Sequence, residues 1–126
     1  MEKERAAGVL VTAKDTGRIF LMLRSMEVTN PLTWGMISGG IEEGEEAFDG
    51  LKREITEETS INPEIINYEF EEVIDNGDKD FYYYKGFTDS EFIPKLCEEN
   101  IDWGWFEIDD LPEPLYPRLS SIINEL

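Results

Sequence analysis

Gly39-Gly40-Ile41-Glu42-Glu43-Gly44-Glu45, running on to Arg53-Glu54-Ile55-Thr56-Glu57-Glu58-Thr59-Ser60-Ile61, joins a glycine-rich loop to a carboxylate-bearing helix. From Glu45 to Thr59 the apolar residues Ala47, Phe48, Leu51 and Ile55 recur at three- and four-residue spacing, which predicts an amphipathic helix docked on a core. At about 100° per residue, Glu54 and Glu58 fall on one edge of that stripe, with Glu57 about 60° further round towards solvent. Glu58 projects almost along the apolar stripe, where an ionised carboxylate calls for a cationic partner. A small hard cation meets that need, since Mg²⁺ takes oxygen ligands, keeps several waters and lets substrate phosphates complete its shell. Arg53, four residues before Glu57, is within helical reach of it and offsets repulsion among the glutamates. Gly39, Gly40 and Gly44 permit backbone torsions that bring main-chain N–H groups to an anion near the start of the helix. The segment therefore reads as a cradle for Mg²⁺ bound to phosphate, while Glu42, Glu43 and Glu46 read as solvated charges.

The same residues carry a resemblance. Gly39, Glu45, Arg53, Glu54, Ile55, Glu57, Glu58 and Ile61 stand in the register of the Nudix box: Gly, five residues, Glu, seven residues, Arg-Glu-apolar-x-Glu-Glu-x-Gly-apolar. Ser60 departs from it, standing where the family has glycine at the carboxyl end of the helix, a place that commonly needs a left-handed backbone. Serine there costs of order 1 kcal/mol relative to glycine and supplies no metal ligand. Ala6–Val11 with Arg18–Arg24 resembles the family's opening pair of strands, and Arg24 falls where a substrate-facing arginine often sits. Thr33–Ile37 resembles the segment leading into the box, and Trp103–Glu107 before Asp109-Asp110-Leu111-Pro112 resembles the closing strand and turn.

Composition sets limits. At 126 residues, 40% hydrophobic and 12% aromatic, the chain fits one globular domain over residues 1–126. A net charge of −18 disfavours nucleic-acid polymers and anionic membranes, which both call for positive surface. The single cysteine, Cys97, excludes an internal disulfide and suits a reducing compartment, and no apolar run or leader pattern suggests a membrane or secretion. The expected location is the cytoplasm. The absence of histidine removes imidazole zinc sites, Ser-His-Asp triads and histidine bases, leaving carboxylates, lysine, tyrosine or metal-bound water for acid–base work.

Strands are expected at Ala6–Thr12, Arg18–Arg24, Tyr68–Ile74, Phe81–Phe87 and Trp103–Glu107, with a short helix over Leu115–Leu126 entered after Pro117. Asp75-Asn76-Gly77-Asp78 predicts a tight hairpin turn rather than a calcium loop. Strands around a mid-chain helix and a terminal helix predict an α/β protein, and the resemblance implies a Nudix-type α/β/α sandwich with a mixed β-sheet.

The resemblance implies a Mg²⁺-dependent pyrophosphohydrolase, with Mn²⁺ able to substitute. It would cleave a nucleoside diphosphate linked to a further group, foremost a nucleoside triphosphate to nucleotide and pyrophosphate. Dinucleoside polyphosphates, nucleotide sugars and ADP-ribose stay open, the last disfavoured by the Asn76-Gly77 turn where ADP-ribose members tend to carry proline. The expected metal site comprises Glu54, Glu57 and Glu58 with Gly39. The expected catalytic residues are Glu54, Glu57 and Arg53, with Glu99 favoured over Glu98 as a base from a later loop. Arg24, Gly39, Gly40 and Trp34 are expected to meet the substrate. Tyr82 and Tyr84 alternate in direction with Tyr83, so only one set can face a pocket. A nucleotide-sensing module without turnover is the alternative of another class, and both a monomer and a homodimer are compatible with the sequence.

Overall fold

The computed structural model describes residues 3–125. At its centre lies β1 (Glu4–Ala13), whose AAGVLVTA run alternates between two buried faces. Along one edge β1 pairs in parallel with β6 (Lys79–Thr88), from Glu4 opposite Lys79 to Ala13 opposite Thr88. Its other edge is shared. Ala6–Val9 pair antiparallel with β4 (Ile37–Gly40), and Thr12 pairs with Ile19 at the start of β2 (Ile19–Arg24). β2 in turn holds β3 (Trp34–Gly35) and β7 (Asn100–Phe106), and β5 (Asn67–Asp75) closes the far side against β6. The sheet is thus mixed, with β1–β6 its parallel pair.

Helix α1 (Ala47–Thr59) covers one face and α2 (Pro117–Asn124) is packed on the other. Leu51 and Ile55 of α1 are fully buried against Val9, Val11, Phe20, Met22, Ile37 and Tyr84. Leu119 and Ile122 of α2 pack on Leu10, Ile19, Leu21, Met36, Phe81 and Tyr83. The strict alternation of Val9, Leu10 and Val11 between these two clusters is the period-2 signature of a strand covered on both sides. The α/β/α sandwich with a mixed sheet is therefore present. Tyr82 and Tyr84 point to the α1 side and Tyr83 to the α2 side.

Boundaries differ from the sequence reading in places that matter. The first helix begins at Ala47, not Glu45: Glu46 is extended (φ −71°, ψ 149°), and Glu45 stays in the loop, where its carboxylate accepts from the Glu42 N–H at 2.9 Å. Phe48 is a rim residue rather than core, stacked on Tyr84 and edge-on to Tyr68. Strands β3 and β4 escaped the sequence reading because runs of two and four residues carry no periodicity; their partners in β2 and β1 define them. α2 begins at Pro117, since Leu115 is held in a bridge to Trp34; Leu126, the expected end of this helix, lies outside the described residues. The β5–β6 turn is as expected, with Gly77 at φ 90° and its N–H donating to Asp75 Oδ1 at 2.8 Å. No helix among the described residues is long and apolar enough to cross a membrane.

Candidate active site

The site forms where β4 delivers the glycine loop to α1. Arg53 is its hub. The guanidinium donates to both oxygens of Glu45 (Nε to Oε2 2.9 Å, Nη2 to Oε1 3.0 Å), and to the Gly40 carbonyl at 2.9 Å. Its remaining nitrogen, Nη1, donates to Glu54 at 3.0 Å and Glu57 at 3.1 Å. A planar fork of five N–H groups is the one side chain able to serve four acceptors in this way. Charge-assisted bonding from Arg53, then the Glu42 N–H, hold the Glu45 carboxyl down to about 2, and the same carboxylates raise the Arg53 pKa. Arg5, on β1, donates to the carbonyls of Glu42 and Glu45 at 3.3 and 2.9 Å and ties the loop to the sheet.

Glu54 lies directly against Gly39: a methyl group on Gly39 would occupy the space of the Glu54 carboxyl group. The glycine is required here for close approach. Burial pushes the Glu54 pKa up, opposed by Arg53 and reinforced by the charges of Glu57 and Glu99. Glu58 is buried, only 5% exposed, one turn further along the helix. Its Oε1 accepts from Asn100 Nδ2 at 3.3 Å, while Oε2 has no hydrogen-bond partner. Desolvation first, and the Glu54 charge second, push its pKa well above the ordinary carboxylate range; Asn100 and Arg24 act the other way. A buried carboxylate oxygen without a donor, beside a second half-buried carboxylate, fits a hard divalent cation as its missing partner. Glu57 stands apart, 56% exposed and held to Arg53. Among the described residues no three carboxylates converge at metal-ligand distance. In this arrangement Glu54 and Glu58 face inward, and Glu57 is withdrawn by its ion pair.

Glu99 approaches from the loop before β7. Its carbonyl accepts from the Ser25 N–H at 2.9 Å, and its charge raises the pKa of both Glu54 and Glu58. It lines a cleft of about 180 Å³ together with Arg24, Gly39 and Gly40. Arg24 is fixed by bonds to the Thr29 carbonyl and hydroxyl at 2.8 and 3.0 Å and lies over the Tyr116 ring at 4.7 Å. Five of the expected residues thus meet at one place: Arg24, Gly39, Gly40, Glu54 and Glu99. Trp34 does not join them. Its ring is edge-on to Phe106 at 5.2 Å and packs with the α2-side cluster. Trp103 and Trp105 likewise pack around Phe20.

Residues the sequence did not single out complete the cleft: Lys79 at the start of β6, Tyr116, and Arg118 in the first turn of α2. Asn100, Arg5 and these three are more than ten residues from the glycine loop in sequence; strand register brings Asn100, Arg5 and Lys79 to it, and the docking of α2 on the sheet brings Tyr116 and Arg118. The one signal available was sparsity, because lysine and arginine number only 11 in the chain.

A family profile described as NUDIX domain matches residues 2–126. An RNA pyrophosphohydrolase of Sulfurovum sp. (strain NBC37-1) is 27% identical over 98% of this chain and 82% of its own length. An RNA pyrophosphohydrolase of Caulobacter vibrioides is 30% identical over 87% of this chain and 75% of its own. Among solved structures, a C. elegans Ap4A hydrolase superposes with a TM-score of 0.78 at 23% identity, covering 95% of this chain and 93% of that one, a likeness of fold.

Proposed function

The chain belongs to the Nudix hydrolase family, enzymes acting on pyrophosphate bonds, and from that premise we propose that it hydrolyses a nucleoside triphosphate to nucleotide and pyrophosphate with Mg²⁺. The observation that carries this reading is the buried, donor-less Oε2 of Glu58 beside Glu54 at the glycine loop. Glu54, Glu58 and the Gly39 backbone would hold the cation, with Glu57 joining when released from Arg53. When bound, the cation neutralises charge on the phosphate oxygens and lowers the pKa of an attacking water.

The other steps fall to the chain's own groups. Arg53 keeps Glu45, Glu54 and the Gly40 carbonyl in fixed relative positions, so the carboxylates do not repel one another out of place. Glu99, exposed on the cleft wall, accepts the proton of the water. Arg24 meets phosphate oxygens and compensates charge developing on the leaving group. Cys97, its pKa raised first by burial, takes no part. We assign the protein to the cytoplasm.

A second reading is favoured by the relatives' names: removal of pyrophosphate from an RNA 5′ end. The reacting triphosphate is the same, and the net charge of −18 opposes the polymer behind it. The test is a phosphate-release assay with Mg²⁺ on nucleoside triphosphates, 5′-triphosphorylated RNA, dinucleoside polyphosphates and nucleotide sugars, alongside Glu54→Gln and Glu57→Gln. Turnover of free triphosphates, lost in Glu54→Gln, supports the proposal. Turnover confined to RNA moves the substrate to the second reading. Retained metal binding without any turnover would leave a nucleotide-sensing module.

A further inference from the structure

The chain carries 29 acidic residues and only 11 lysines and arginines. Three of those cations, Arg24, Lys79 and Arg118, line the single 180 Å³ cleft that also holds Gly39, Gly40 and Glu99. They come from β2, β6 and α2, so sequence proximity does not explain the grouping. Elsewhere Arg53, Arg18 and Lys3 each sit against two or more carboxylates. The cleft cations do not. Arg24 bonds to Thr29 through Nε and Nη2 alone, which leaves N–H groups free for an anion, and Arg118 stacks over Phe81 at 4.1 Å with its guanidinium beside the Asn76 amide group. Among the described residues neither has a carboxylate within ion-pair distance. Lys79 has only the exposed Glu4 at 3.8 Å, a contact water and salt easily replace.

Partly desolvated cations without anions are costly unless an anion arrives. Resting on the reading of the carboxylate site as the place of hydrolysis, we infer that Lys79 and Arg118 form, with Arg24, a phosphate subsite outside the box that selects substrates by phosphate count. Gly39 and these cations line one continuous cleft, the path along which a chain of three or more phosphates would lie. A diphosphate joined to a sugar would set a neutral group against them, leaving the cations unpaired. Phosphate number, not the nucleobase, is then what this face of the molecule measures.

The experiment is calorimetric titration of the intact protein, at fixed free Mg²⁺, with inorganic triphosphate and with pyrophosphate, for wild type, Lys79→Gln, Arg118→Gln and Arg118→Lys. Triphosphate should bind at least tenfold more tightly than pyrophosphate, a difference of about 1.4 kcal/mol. That ratio should fall towards one in both glutamine variants and be partly restored in Arg118→Lys. A purely structural role, such as Arg118 supporting Phe81, would weaken both anions together and leave the ratio unchanged, which overturns the inference. Lys79 is exposed enough that its variant keeps the fold, so the Lys79→Gln ratio decides the matter if Arg118→Gln unfolds. Because no turnover is needed, a protein that hydrolyses nothing yet shows the ratio overturns the proposed reaction alone. One that hydrolyses triphosphates with an unaltered ratio in the variants overturns the subsite alone.

Discussion

Ser60 has φ 59° and ψ 16°, the left-handed conformation that closes α1, with its N–H on the Thr56 carbonyl. A side chain there is strained by about 1 kcal/mol, and the hydroxyl recovers little through a 3.4 Å contact to the Lys95 carbonyl. Ser60→Gly is expected to raise the melting temperature by roughly 3 °C, measured by calorimetry, with turnover retained. Gly39 is the opposite case. Its backbone is ordinary, and the glycine serves the Glu54 carboxyl group pressed against it. Gly39→Ala should cut kcat by about 10²-fold or more through displacement of Glu54, while denaturant unfolding shifts only modestly. Glu45 makes the pH argument. With its pKa lowered to about 2 from 4.5, its ionised form favours the folded state. That contribution is complete above about pH 4.5 and is lost as pH falls towards 2. Glu45→Gln should therefore flatten the loss of stability in that acid window, and an unaltered acid-unfolding profile would refute the assignment.

Element by element, α1 does two jobs with two faces. Leu51 and Ile55 anchor it to the sheet, and Glu54 and Glu58 emerge at the edge of that contact with their charges already half or fully desolvated. The anchoring fixes where the carboxylates stand relative to β4. Ile55→Ala, at a fully buried position, should cost about 2–5 kcal/mol in urea unfolding. It should also raise the metal concentration needed for half-maximal activity, because a loosened helix no longer holds Glu54 against Gly39. β1 plays the matching part on the sheet side, sharing one edge between β4 and β2 and so setting the glycine loop beside Arg24.

For the whole molecule, the net charge of −18 is the dominant field. Self-repulsion should make stability rise as salt is added from about 0.01 M to 0.15 M, where the screening length shrinks from about 30 Å to 8 Å. The field also orders substrates. If 5′-triphosphorylated RNA is accepted, kcat/KM at low salt should fall as the oligonucleotide lengthens, since phosphates beyond the cationic cleft meet an acidic surface. Raising the salt should narrow that gap. A kcat/KM that climbs with RNA length at low salt would mean that the cleft cations extend into a polymer-binding path.

Local spacing determined the helix, the Leu51 and Ile55 part of its buried stripe, the register of Arg53, Glu54, Glu57 and Glu58, and the hairpin at Gly77, while the left-handed stress at Ser60 was read from the resemblance to the box. These depend on a 3.6-residue period and on backbone torsions, which neighbouring residues encode. What lay outside the sequence's reach depends on strand register over tens of residues. That register brings Asn100 to Glu58, Arg5 to the loop carbonyls and Lys79 to Gly39, and the docking of α2 on the sheet adds Arg118. The register also removed Trp34 from the cleft into packing with Phe106. Side-chain type and spacing announce that carboxylates and glycines will meet. Which cations face them is decided by the pairing of β1 with β6 and the docking of α2, contacts with no local trace in the chain.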